Sequence, residues 1–176
     1  MNYSELKLFD VANGPGIRVT LYVSGCTHHC NGCFNTVTWD FNAGKPFDEA
    51  VMDKIIDAMK ASYIAGITIL GGEPFEYVNQ EGLLPLLKKV KETYPEKDVW
   101  CFTGYLFDKD IIDAMTNESP YTSELLKYID VIVDGPFIEE QRNLMLKFKG
   151  SENQRTIDVQ KSLEAGYVIE REGYES

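Results

Sequence analysis

The sequence predicts an α/β fold, a partial (open) βα barrel with a mostly parallel sheet, and three observations lead there. Short apolar, β-branched runs alternate with longer stretches of helical spacing. The strand runs are nearly all apolar, as in sheets covered on both faces. Each unusual motif falls immediately after a strand candidate, and in parallel α/β folds those strand ends share one edge. Roughly four or five βα units are too few to close an eight-fold barrel, which leaves an open one.

Taken in order, IRVTLYV (17–23) is the first strand and ends at a cysteine cluster. FDEAVMDKIIDAMKAS (47–62) has helical spacing, with Val51, Ile55, Ile56 and Met59 on one face and Asp48 near its start. GITIL (66–70) is a short buried strand ending in GGEP. QEGLLPLLKKVKETY (80–94) is helical, with Pro85 expected near its first turns, where proline is best tolerated. DVWCF (98–102) is a third strand and ends in TGY. A helical region over 108–128 is interrupted around NESP (117–120), and DVIVDG (130–135) is the fourth strand. FIEEQRNLMLKF, IDVQKSL and YVIERE read equally as helix or edge strand. The expectation is a single domain over residues 1–176 with an irregular, polar tail from about 159.

With 44% hydrophobic and 12% aromatic residues, the chain has the composition of a folded protein with a real core. Its 28 acidic and 17 basic residues give a formal charge of −11, which repels phosphate backbones and argues against nucleic acid as a partner. The opening MNYSELKLFD lacks the basic and apolar regions of a signal peptide, and no apolar run approaches a membrane span. The expectation is a cytoplasmic protein whose clustered thiols serve metal or redox chemistry rather than disulfides.

That cluster is GCTHHCNGCFN (25–35), with Cys26, Cys30 and Cys33 spaced C-x3-C-x2-C. Thiolates are soft ligands that suit iron–sulfur clusters, zinc or copper. Structural zinc usually takes two close pairs, and no second CxxC exists here; Cys101, His28 or His29 would have to complete such a site. A [4Fe–4S] cluster held by three cysteines instead keeps one iron open to a small molecule, as catalytic zinc keeps a position for substrate.

C-x3-C-x2-C after one strand and GGEP after the next together resemble the radical S-adenosylmethionine (radical SAM) superfamily. VANGPGIRVTLYVSGCTHHCNGCFN looks like the N-terminal signature of its glycyl-radical-enzyme activases. TWDFNAGKPF, CFTGY, VDGPF and KFKGSENQR resemble the branch that serves anaerobic ribonucleoside-triphosphate reductase. The likeness runs from about Val11 to Asp158, while NESPYTSELLKY and the tail depart from it.

The resemblance implies that Cys26, Cys30 and Cys33 ligate a [4Fe–4S] cluster whose open iron takes the amino and carboxylate groups of S-adenosylmethionine. Gly32, Cys33 and Phe34 would present backbone and an aromatic face to the adenine. Gly71, Gly72, Glu73 and Pro74 would hold the methionine end, the glycines by permitting close approach and Glu73 by accepting from the ammonium. Thr103 and Asp134 are placed as further contacts to ribose, carboxylate or a cation, although a helix cap and a turn residue account for them equally well. No carboxylate pair suggests acid–base catalysis, so no catalytic residue is assigned beyond the cluster and its cosubstrate. Arg18 reads first as a surface-pairing residue of a strand, with contact to the partner protein as the alternative, and Cys101 as a buried thiol. Gln154 and Arg155 match the family wording without a physical role.

The implied reaction takes one electron from a donor such as flavodoxin and cleaves S-adenosylmethionine reductively. The resulting radical removes hydrogen from a glycine of the reductase large subunit. The alternatives are activation of another glycyl radical enzyme, or a radical SAM enzyme with a small substrate, such as a 7-carboxy-7-deazaguanine synthase. Outside the class stands a zinc-stabilised binding module.

Overall fold

The four apolar runs become the parallel centre of one sheet. The structure is a computed structural model that describes residues 1–175. Its strands are β1 (Asn2–Asp10), β2 (Ile17–Val23), β3 (Lys45–Pro46), β4 (Ile64–Gly71), β5 (Asp98–Phe102), β6 (Val131–Asp134) and β7 (Arg155–Asp158). They lie in the order β3-β1-β2-β4-β5-β6-β7. The inner four run parallel; β1, β3 and β7 join antiparallel at the flanks. The result is the open, largely parallel sheet that the sequence predicts. Strand β1 is an addition: it is mostly half-exposed, so its sequence carries no continuous apolar run.

Strand alternation divides the core in two. Val19, Leu21, Ile67, Ile69, Val99, Cys101 and Ile132 point one way, into a cluster with Ile55, Met59, Leu83, Leu86, Leu87 and Val90. Those partners belong to helix α1 (Glu49–Ala58) with its C-cap Met59, and to helix α2 (Tyr77–Thr93). Asp48 caps α1 by accepting from the Val51 amide at 3.0 Å. Helix α2 begins three residues before the predicted segment, so Pro85 lies inside the helix rather than near its start. Pro85 is exposed, which leaves the backbone carbonyl it cannot serve within reach of water.

Register places Arg18, Thr20, Thr68, Trp100 and Val131 on the opposite face. Here Trp100, Val131 and Val133 form a second cluster with Phe102, Phe148 and Tyr174. Arg18 is therefore not a surface residue; it is completely buried in this layer. Its guanidinium donates to Thr68 Oγ1 (2.8 Å), Pro15 O (3.0 Å), Ile67 O (3.1 Å) and Asp98 Oδ1 (2.7 Å). Thr68 in turn donates to Asn13 O at 2.7 Å, so one cation ties the Asn13–Gly16 turn to three strands. Removing the counter-charge from a buried cation is strongly destabilising. Because Asp98 is partly exposed, we expect Asp98→Ala to cost about 2–3 kcal/mol. The melting temperature should fall by about 5–10 °C, whereas a shift below about 1 °C would mean that the carbonyls alone hold Arg18.

The 108–128 region forms a π-helical segment, Phe107–Met115, running into a short α3 (Thr116–Glu118). The chain breaks at Ser119–Pro120 and resumes as α4 (Thr122–Leu126), where the sequence placed its interruption. FIEEQRNLMLKF is neither helix nor strand but a loop with one 3₁₀ turn at Glu139–Gln141. The expected irregular tail instead opens with helix α5 (Val159–Ala165). Asp158 caps its start, and Gly166 (φ 81°) ends it in the left-handed conformation. The chain then returns across the sheet until Tyr174 packs edge-on against Trp100. Among the described residues no helix is long and apolar enough to cross a membrane.

Candidate active site

Strands β2, β4, β5 and β6 all end at one edge, and there the motifs meet. The chain leaves β2 through Gly25, whose φ of 101° and contact with the Phe41 ring exclude any side chain. The Gly25 amide donates to Thr38 O (2.7 Å) and its carbonyl accepts from the Glu73 amide (2.7 Å). The Gly72 amide donates to Val23 O (2.8 Å), so the cysteine loop and GGEP are laced together by backbone. A Cβ on Gly72 would lie 2.5 Å from Gly25 O, which is why the motif needs glycine there.

An open cleft of about 220 Å³ lies over this junction. Cys26, Cys30 and Cys33 line it, with Phe34, Gly71, Gly72, Glu73 and Thr103 facing them from the loop and the strand ends. Gly32, Pro74 and Asp134 do not line it. Gly32 turns the loop at φ 77° and packs toward Glu139. Pro74 is buried in the turn beneath.

Asp134 faces the helical side of the sheet. Its carboxylate accepts from Arg155 at 2.6 and 3.1 Å and from the Phe107 amide at 2.8 Å. This gives Arg155 the role its sequence withheld. Hydrogen bonding to Asp134 raises the guanidinium pKa, and hydrogen bonding from Arg155 lowers that of Asp108. Asp134→Asn should lower stability by about 2–3 kcal/mol while leaving S-adenosylmethionine affinity within about twofold. Thermal melts and equilibrium dialysis on the same protein would separate the two effects.

Glu73 is almost completely buried, and its two oxygens are shared among four donors. Oε1 accepts from Gly104 N (2.7 Å) and His28 Nε2 (2.9 Å); Oε2 accepts from Thr103 Oγ1 (2.7 Å) and Phe75 N (2.8 Å). A carboxylate only accepts, so His28 Nε2 carries the hydrogen. Gly104 of TGY makes room for that imidazole, since a Cβ there would come within 2.7 Å of its ring. Sequence reading found Glu73 and Thr103 but not this coupling, because neither His28 nor Gly104 belongs to a helix or strand pattern.

The donor set suits a cluster with one open iron. Three thiols share the wall of the cleft with His28, and each rival as a fourth ligand is engaged otherwise. Cys101 faces the helical core. His28 holds Glu73. His29 stacks on Trp39 at 4.2 Å between ring centroids. Among the described residues, no three His, Cys, Asp or Glu side chains gather closely enough for a single metal ion. Burial pushes the Cys26 thiol up to about 11, with the His28 and His29 amides pulling it partly back. The Asn35 amide donates to Cys33 Sγ at 3.4 Å. Trp39 also lines the cleft, and its buried indole N–H has no partner among the described residues.

Residues 12–157 match the model of the 4Fe-4S single cluster domain family. The anaerobic ribonucleoside-triphosphate reductase-activating protein of Haemophilus influenzae is 44% identical over 156 residues, covering 88% of this chain and 96% of the relative. The proteins of the same name from phage T4 and Escherichia coli K12 are 41% and 38% identical over 88% of this chain, and over 92% and 96% of their own lengths. The chain belongs to this family. It is a family of radical SAM activating enzymes, with a [4Fe–4S] cluster as cofactor and S-adenosylmethionine as cosubstrate. Membership sets aside the zinc-stabilised binding module. It also gives context to two residues outside the sequence's explicit roles. Gln154 lines the cleft and accepts from the Gly150 amide (2.8 Å) while donating to Gly135 O (3.0 Å), clamping the 136–150 loop to the end of β6. Phe137 forms the far wall, 5.9 Å from Phe34 between ring centroids.

Proposed function

We propose that this protein activates an anaerobic ribonucleoside-triphosphate reductase by generating a glycyl radical on its large subunit. The observation that carries the reading is the convergence of three cysteines and the GGEP turn on one open cleft, in a chain 44% identical to a protein of that name. The whole chain acts as a single radical SAM domain in the cytoplasm, and its electron comes from a low-potential carrier such as flavodoxin.

Cys26, Cys30 and Cys33 would hold the cluster. When bound, cluster and cosubstrate together supply a one-electron cleavage of the sulfonium that yields methionine and a radical able to take hydrogen from glycine. The chain's own residues bind, orient and protect. Gly71 and Gly72 let the cosubstrate approach the backbone. Glu73 keeps its carboxylate fixed beside the cysteines through Thr103, Gly104 and His28. Leu70, Phe102, Val133 and Phe137 give the cleft an apolar lining that keeps water from a reactive intermediate. The cleft is open to solvent at one side, as a site needs to be when its substrate is a peptide loop.

Incubating the reduced protein with S-adenosylmethionine and the purified reductase tests this reading. The expected result is a stable glycine-centred radical on the reductase, formed together with 5′-deoxyadenosine. Cosubstrate turnover with no radical on the reductase would point instead to another glycyl radical enzyme or a small substrate.

A further inference from the structure

One loop beside the cleft is built unlike the rest of the surface. Its tip, from Arg142 to Lys149, carries Arg142, Lys147 and Lys149 and no acidic residue, while Glu139, Glu140 and Glu152 lie toward its base, in a chain whose formal charge is −11. Among the described residues none of the three cations forms a salt bridge. Arg142 lies over the Phe34 ring at 5.0 Å and Lys147 over Tyr174 at 5.7 Å. Between them Leu144 and Met145 are 82% and 90% exposed, more than any other large apolar side chains of the protein's described surface.

The tip is held in place. The Met145 amide donates to Asn143 Oδ1 (2.9 Å), the Asn143 amide to Gly150 O (3.3 Å), and Arg142 bridges to Ser151. Phe148 adopts a left-handed φ of 55°, unusual for a bulky residue, and is fixed there by contacts with Trp100 and Tyr174. The fold thus displays two adjacent apolar side chains, with Arg142, Lys147 and Lys149 close by in sequence, on an ordered support. An exposed apolar pair costs solubility and gains nothing for the isolated chain.

The loop also continues into the site: its base residues Phe137, Gly150 and Gln154 line the cleft, and Arg142 rests on Phe34 at the rim. We infer that Leu144 and Met145 are the docking anchors for the glycyl radical protein. They would receive a segment near its target glycine that presents apolar side chains to the tip and carboxylates to Arg142, Lys147 and Lys149. This deepens the function proposed above and rests on it. A second copy of this chain or the electron donor is a rival occupant that the test separates.

The test uses the cluster-containing protein, with Leu144→Ser/Met145→Ser as one variant and Lys147→Glu/Lys149→Glu as another. Binding to the purified reductase is measured by sedimentation at low and high salt. Cosubstrate cleavage in the absence of reductase is measured alongside with a chemical reductant. The serine variant is expected to weaken the complex by about tenfold or more, and the glutamate variant to remove most of its salt sensitivity. Both should cleave S-adenosylmethionine within about twofold of wild type, since none of the four residues lines the cleft. Unchanged binding in both variants overturns the inference, as does an equal loss of cosubstrate cleavage. An effect confined to self-association or to reduction by a protein donor assigns the loop to that rival. If the wild-type protein activates the reductase and the variants do so equally, docking alone is wrong. If wild type fails to activate it, the functional reading falls first.

Discussion

Cys33→Ala is expected to lose the cluster and, with it, cosubstrate cleavage to below about 1% of wild type. The reasoning is arithmetic in ligands. Three thiols line the cleft, and the remaining candidates are committed: Cys101 to the helical core, His28 to Glu73 and His29 to Trp39. Among the described residues, the cleft wall holds no further cysteine and no unengaged histidine to replace a lost thiol. The protein itself should still fold, because Cys33 is half-exposed in a loop outside both hydrophobic clusters. Iron content, activity and a far-ultraviolet circular dichroism spectrum on one preparation check all three points. Cys101→Ala is the matched control; it should keep its iron and lose only packing. If Cys101→Ala lost iron as well, the ligand assignment would be wrong.

Glu73→Gln carries the second large effect. The substitution preserves shape but cannot preserve the hydrogen bonds. Each carboxylate oxygen accepts from one backbone amide, Gly104 N on one side and Phe75 N on the other. Either orientation of a glutamine amide sets its NH₂ against one of those donors. Losing a charge-assisted hydrogen bond inside the protein costs about 1.5–3 kcal/mol of stability, and because Glu73 lines the cleft, S-adenosylmethionine should also bind about tenfold more weakly. With the glutamine NH₂ at the Oε1 position His28 would lose its acceptor as well, whereas Thr103→Ala leaves that acceptor in place. Equilibrium dialysis on the three proteins would read this out, and an affinity unchanged in Glu73→Gln would remove the carboxylate from the binding site.

How far the sequence anticipates this arrangement depends on the kind of signal each part leaves. The parallel strands are legible because both of their faces are covered, so 17–23, 66–70, 98–102 and 130–135 read as apolar runs. Strand β1 escapes notice because its half-exposed residues show no such run. Arg18 misleads for a related reason. A lone arginine in a strand suggests solvent, and only the fold brings Asp98, Thr68 and three carbonyls around it.

In the site, the cysteine spacing and GGEP are local patterns and survive translation into three dimensions. Asp134 does not, because strand alternation decides which face its carboxylate takes, and the residue that claims it, Arg155, arrives from a strand 21 residues later. His28 and Gly104 were invisible as a pair for the same reason. Their contact spans two strand ends, and glycine's contribution is the absence of a side chain. The 142–149 loop has no secondary structure to betray it; its meaning lies in exposure and neighbours, which sequence does not record.

The most direct test of the central claim is low-temperature electron paramagnetic resonance of the anaerobically reconstituted, reduced protein, recorded with and without S-adenosylmethionine. A cluster held by Cys26, Cys30 and Cys33 alone has one open iron, and the account predicts a reduced [4Fe–4S] signal whose shape changes when the cosubstrate is added. A protein that binds zinc and gives no paramagnetic cluster, or a cluster signal indifferent to S-adenosylmethionine, would contradict it.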